Sequence, residues 1–125
     1  MEDSPKLAVL IVEDDALIRA LAVDIVEDAG YLPLEASNAD EAVALLESRT
    51  DIAVLFTDIN MPGSMDGLKL AHAVRGRWPP VKIIVTTGMH RPSSDQLPAH
   101  TVFLSKPYRP EQILEAIRLL EQTCV

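Results

Sequence analysis

The chain has 125 residues, 48% of them hydrophobic and 24% charged, which fits one globular domain over 1–125 with a core from about 7 to 120 and excludes wholesale disorder. Eleven Lys and Arg against nineteen Asp and Glu give a net charge of −8 with no basic run, so direct binding to DNA or RNA is disfavoured. The lone Cys124 excludes a disulfide framework, no apolar run is long enough for a membrane span, and the N-terminus does not read as a signal peptide; a reducing cytoplasm is expected.

Leu7 to Val12 is a short, wholly apolar run of the kind that forms a strand buried on both faces, and it stops at Glu13-Asp14-Asp15. Ile18, Leu21, Ala22 and Ile25 then recur at helical spacing, and Gly30 is placed to end that helix. Tyr31 to Ala36 is a weaker strand containing Pro33, which predicts a sheet edge. Asn38 with Glu41 three residues later predicts a capped helix carrying Val43 and Leu46. Ile52 to Thr57 is a second buried strand, ending at Asp58. Asp66 can cap a helix with Leu70, Val74 and Trp78 on one side, stopped by Pro79-Pro80. Val81 to Thr86 and Thr101 to Ser105 are the fourth and fifth strands. Pro110 opens a last helix with Ile113, Ala116, Ile117 and Leu120 on one face. Between Gly88 and His100, two prolines and weak periodicity predict a fourth helix that is short, irregular or absent.

Strands alternating with helices imply right-handed crossovers and a parallel α/β sheet covered on both faces. The C-terminal ends of such strands share one rim, where ligands of open α/β sheets bind. Glu13, Asp14, Asp15 and Asp58 meet there with Thr87 and Lys106. Clustered carboxylates need a cation, and an all-oxygen set suits Mg²⁺ better than a Ca²⁺ cage, while scattered His72, His90 and His100 give no zinc spacing. Carboxylates beside a dication, an ammonium and a hydroxyl suit phosphoryl transfer to a carboxylate nucleophile. Each piece alone has a plainer reading: helix-capping acids at Glu13-Asp14-Asp15, a polar turn after Asp58, a solvated loop lysine at Lys106. Together, at three strand ends, they point to one site.

Val12-Glu13-Asp14-Asp15, Thr57-Asp58-Ile59-Asn60-Met61-Pro62 with Met65-Asp66-Gly67, Thr87-Gly88 and Lys106-Pro107-Tyr108 resemble, in order, the marks of bacterial response-regulator receiver domains from Leu7 to Leu120. The resemblance implies a flavodoxin-like, doubly wound five-stranded sheet in the order 2-1-3-4-5. It implies Asp58 as phosphoacceptor and a Mg²⁺ site of Asp14, Asp58, the Asn60 carbonyl and, through water, Glu13. Lys106 resembles the lysine that pairs with the acceptor, with a bond to Pro107 that is often cis in the family. Thr87 resembles the switch hydroxyl and Phe103 the aromatic that follows its motion. The order Thr86-Thr87-Gly88 leaves the register open; Thr87 is favoured because the small Gly88 then follows it. The loop at Gly63-Ser64 is one residue longer than usual, and the stretch after Gly88 departs from the family where output surfaces often lie.

The implied activity is a single-domain response regulator. It takes a phosphoryl group from a sensor histidine kinase or phosphotransfer protein, and self-catalysed phosphorylation and dephosphorylation is its only chemistry; it is not a metabolic enzyme. No effector domain is expected in the chain, so output would run through an unknown protein partner, with phosphorylation-dependent homodimers left open, or the domain would drain phosphoryl groups from a kinase as a phosphate sink. A receiver-like module that is never phosphorylated would be expected to lack the aspartate or the lysine, and both are present. A Mg²⁺-dependent phosphatase with its nucleophile after the first strand would need a second acid two residues on and a cap insert. Asp14 is followed by Asp15-Ala16-Leu17 with no insert.

Overall fold

A strand that is apolar on both sides must be covered on both sides, and here the covering comes from helices packed on the two faces of the sheet. In a computed structural model of the chain, which describes residues 7–59, 66–88, 96–98 and 100–121, the strands are β1 (Ala8–Val12), β2 (Leu32–Ala36), β3 (Ile52–Asp58), β4 (Lys82–Thr87) and β5 (Thr101–Ser105). They pair in parallel in the order β2-β1-β3-β4-β5. Among the described residues there are four α-helices, α1 (Ala16–Asp28), α2 (Ala39–Ser48), α3 (Gly67–Arg77) and α4 (Pro110–Glu121). None lies between β4 and β5, although residues 89–95 and 99 of that stretch, where the sequence predicts a helix that is short, irregular or absent, fall outside the described residues.

Period-two alternation divides the core in two. Ala8, Leu10, Val12, Leu55, Ile83 and Val85 face α2 and α3, while Val9, Ile11, Val54, Phe56 and Ile84 face α1 and α4. Pro33 lies on edge strand β2, where a missing amide donor costs least. On α4 the stripe Ile113, Ala116, Ile117 and Leu120 is buried as its spacing predicts. On α1 the buried line is Ala22 and Val26, and Leu21 is 56% exposed. Both fit helical spacing; the small Ala22 sits against the sheet, which turns Leu21 outward.

Local capping follows the sequence. The Asn38 side chain accepts from the Glu41 amide, and Asp66 accepts from the Lys69 amide at 2.8 Å. Glu41 answers to the Ser37 amide and hydroxyl, one residue earlier than a reciprocal box requires. Gly30 ends α1 in the left-handed region, with φ of 96°. Trp78 caps α3 and packs on the core, its ring 4.3 Å below the Arg77 guanidinium.

Candidate phosphoacceptor and metal site

The strand order reverses at β1, so the C-terminal ends of β1 and β3 lie side by side with β2 and β4 flanking them. Glu13 leaves the end of β1, Asp58 is the last residue of β3, and Lys106 follows β5 directly. The Lys106 Nζ donates to Glu13 Oε1 at 2.9 Å and to Asp58 Oδ2 at 3.1 Å. The two carboxylates are 7% and 6% exposed and the lysine 18%, so these are charge-assisted bonds in a largely dry setting. Burial pulls the ammonium downward, but its bonds to Glu13 and Asp58 outweigh that and hold it above its ordinary range. Burial also raises the Glu13 carboxyl, against hydrogen bonds from Lys106 and the Asp15 amide and with the charge of Asp58.

The backbone fixes this arrangement from every side. The Glu13 amide donates to the Ala36 carbonyl, the Ile59 amide to Thr86 and the Lys106 amide to Thr87. Asp15 has the plainer role weighed for it: its carboxylate caps α1 by accepting from the Leu17 and Ile18 amides. The Lys106–Pro107 bond is cis. Beside the lysine an apolar hollow of about 540 Å³ opens between α1 and the start of α4, lined by Ile18, Leu21, Ile25, Pro107 and Tyr108. Burial raises the Tyr108 phenol above its usual range.

Glu13, Asp14 and Asp58 each offer a carboxylate oxygen, and these oxygens lie within 4.8 Å of one another. With Lys106 counted, the cluster carries a net charge of about −2, from three carboxylates and one ammonium. A hard dication held by one or two carboxylates and several waters fits such a set, with Asp14 exposed on the solvent side. Asn60, expected to add its carbonyl, lies outside the described residues.

The threonines separate by pleat. Directly paired residues of a parallel sheet point to the same side, and Asp58 pairs with Thr86. Thr86 therefore shares the face of Asp58 and Ile84, whereas Thr87, favoured from the sequence because Gly88 follows it, shares the opposite face with Val85. Both are buried, at 2% and 3% exposure. Phe103 pairs with Val85 and packs half-buried on the α2/α3 side.

Two residues gained a role only from the coordinates. A Cβ on Gly67 would collide with the carbonyl oxygen of Asp58, so the start of α3 touches the acceptor backbone, with the Gly67 amide donating to Ile59. Arg19, within the first turns of α1, donates to the Glu13 carbonyl and to Glu35 on β2. Gly67 stood inside a recognisable motif, whereas nothing local in the sequence singles out Arg19.

The model of the response regulator receiver domain matches residues 9–118, and the chain belongs to that family. It is 32% identical over 127 residues to an uncharacterised 14.6 kDa protein from Leptolyngbya boryana, covering all of this chain and 95% of that one. It also matches longer curated proteins, among them transcriptional regulators of which it spans half or less. A CheY-like response regulator receiver domain protein from Methanospirillum hungatei superposes with a TM-score of 0.83 at 30% identity, covering 95% of this chain and 96% of that one. The response regulator TrrA from Thermotoga maritima, solved in complex with Mg²⁺-BeF, superposes with a TM-score of 0.78 at 26% identity over 90% of this chain and 97% of that one. This is a receiver domain of two-component signalling systems, and no described helix is long and apolar enough to cross a membrane.

Proposed function

We propose that this receiver domain accepts one phosphoryl group on Asp58 from the phosphohistidine of a sensor histidine kinase or phosphotransfer protein, and that the change biases a two-state switch read by a protein partner. The observation that carries the reading is the single ammonium of Lys106 donating at once to Glu13 and to Asp58 at the rim of the sheet. Asp58 Oδ attacks phosphorus, the P–N bond to the donor imidazole breaks, and the imidazole leaves as the neutral base after taking a proton. Lys106 then exchanges its bond to the Asp58 carboxylate for one to a phosphoryl oxygen, and water later hydrolyses the acyl phosphate. The acidic set would hold Mg²⁺ through Asp14, Asp58 and, by resemblance, the Asn60 carbonyl, with Glu13 acting through water. When bound, Mg²⁺ supplies positive charge to the transferring phosphoryl oxygens. That TrrA was solved with Mg²⁺-BeF supports the same assignment here.

Sheet parity supports Thr86, on the Asp58 side, as the hydroxyl that follows the phosphoryl group, in preference to Thr87. Phe103, half-buried beside Val85, is the proposed aromatic of the switch. The apolar hollow between α1 and Tyr108, with Leu17 and Leu21 exposed on the same helix, suits docking of the donor protein close to Lys106. Intact-mass measurement after incubation with a small phosphodonor, with Mg²⁺ or EDTA, tests the assignment. One added phosphoryl group, dependent on Mg²⁺ and lost in Asp58→Asn, is expected. An adduct that persists in Asp58→Asn moves the acceptor to Asp14 or Asp15. No adduct under any condition, with another receiver labelling in parallel, leaves an interaction module.

A further inference from the structure

Arg19 reaches the acidic site through backbone rather than side chain. Its Nη1 donates to the Glu13 carbonyl at 2.8 Å, and its Nε donates to Glu35 Oε1 at 3.1 Å. The guanidinium is 21% exposed, so its planar fork bridges the end of β2 to the β1–α1 turn from a mostly buried position. The carbonyl it holds belongs to the peptide plane joining Glu13 to Asp14. Every other polar group of Glu13 is already fixed: the amide by Ala36, Oε1 by Lys106 and Oε2 by the Asp15 amide. Asp14 differs. Among the described residues its carboxylate makes no hydrogen bond or ion pair, yet it is one of the three that converge. Its position is therefore inherited from the backbone on which it stands.

We propose that Arg19 is a positioning residue for a divalent cation: by holding the Glu13 carbonyl it sets the Glu13–Asp14 peptide plane and so aims the Asp14 carboxylate at the site. The inference rests on the metal-dependent reading given above. It predicts a sign that simple electrostatics reverses. Removing a positive charge near a cation site should tighten cation binding, whereas removing a support that aims a ligand should weaken it. Supporting residues behind metal ligands typically govern affinity by about tenfold or more.

The test is Mn²⁺ affinity of the intact chain, read from the free-ion EPR signal, because Mn²⁺ shares the preference of Mg²⁺ for oxygen ligands. Wild type, Arg19→Ala, Arg19→Lys, Glu35→Gln and Asp14→Ala are compared well below each variant's Tm, with Tm measured in EDTA. Arg19→Ala is expected to weaken binding about tenfold. Arg19→Lys should recover part of that loss by donating to the Glu13 carbonyl alone, and Glu35→Gln, which loosens the far anchor, should weaken binding by a few fold. If Arg19→Ala does not fold, the Lys and Glu35 variants carry the same comparison. Unchanged or tighter binding in the Arg19 variants, with binding lost in Asp14→Ala, overturns the positioning role and leaves the metal site standing. Absence of Mn²⁺ binding by the wild type overturns the metal site and this inference together.

Discussion

Lys106→Met removes the ammonium while keeping most of the apolar stem, and its cost can be worked from the geometry. The lysine donates to both Glu13 and Asp58, at 2.9 and 3.1 Å, and both carboxylates are more than nine-tenths buried. Removing one partner of a buried ionic group costs about 3–5 kcal/mol because charge is left without compensation. The carboxylates have an escape, which is to take up a proton. For a glutamic acid of ordinary pKa near 4.3, protonation at pH 7 costs about 3.7 kcal/mol, at about 1.4 kcal/mol per pH unit. The penalty in metal-free protein is therefore capped at about 3.7 kcal/mol at pH 7, and at about 1 kcal/mol at pH 5. Burial raises the Glu13 carboxyl and Lys106 opposes that rise, so loss of the ammonium raises it further and the folded variant binds this proton more tightly than folded wild type does. The stability gap to wild type thus widens as pH rises from the carboxylate range towards neutrality.

Urea unfolding of wild type and Lys106→Met in EDTA at pH 5 and pH 7 measures the two gaps, and Tm should fall by roughly 10 °C at the higher pH. Saturating Mg²⁺ at pH 7 should narrow the gap, since a dication supplies the missing countercharge. A gap below about 1 kcal/mol at pH 7, or one equal at both pH values, would refute the assignment of Lys106 as the countercharge of two buried carboxylates.

The backbone contact beneath the acceptor predicts that Gly67→Ala destabilises the domain by about 1–3 kcal/mol and lowers labelling of Asp58, because the new methyl displaces the Asp58 carbonyl. Gly76→Ala, on the same helix with open space around it, should stabilise by about 0.5–1 kcal/mol, and denaturant unfolding of the two variants separates local crowding from a general effect of α3. Thr86→Ala should mute the amide chemical-shift difference between the free and phosphorylated states more than Thr87→Ala does; the reverse order would move the switch hydroxyl back to Thr87.

Much of the fold was legible because it rests on one-dimensional signals. A strand buried on both faces must be apolar throughout, so Leu7 to Val12 and Ile52 to Thr57 could be read directly, and Pro33 marked the edge by lacking a donor. Asn38, Asp66 and Pro110 announced helix starts through local chemistry that needs no distant partner. The acidic set was legible for a related reason: in a parallel sheet, standing at or just after the C-terminal end of a strand is enough to reach the common rim, and Glu13, Asp58 and Lys106 all satisfy it.

Pleat parity and helix rotation are different, because they depend on neighbours far along the chain. Thr86 and Thr87 face opposite sides by the pleat of β4 alone, and only pairing of Thr86 with Asp58, 28 positions earlier, decides which of them shares the acceptor's face. Both Leu21 and Val26 fit helical spacing, and contact with the sheet chose the latter for the core. The hydrogen bond from Arg19 to the Glu13 carbonyl leaves no trace in residue type, since any helix may carry an arginine facing solvent. The sequence alone thus determined which strands are buried, where the helices start and which charged groups gather at the rim. Tertiary packing alone decided which side each group faces and what holds it there, because facing is a relation between segments and not a property of any one of them.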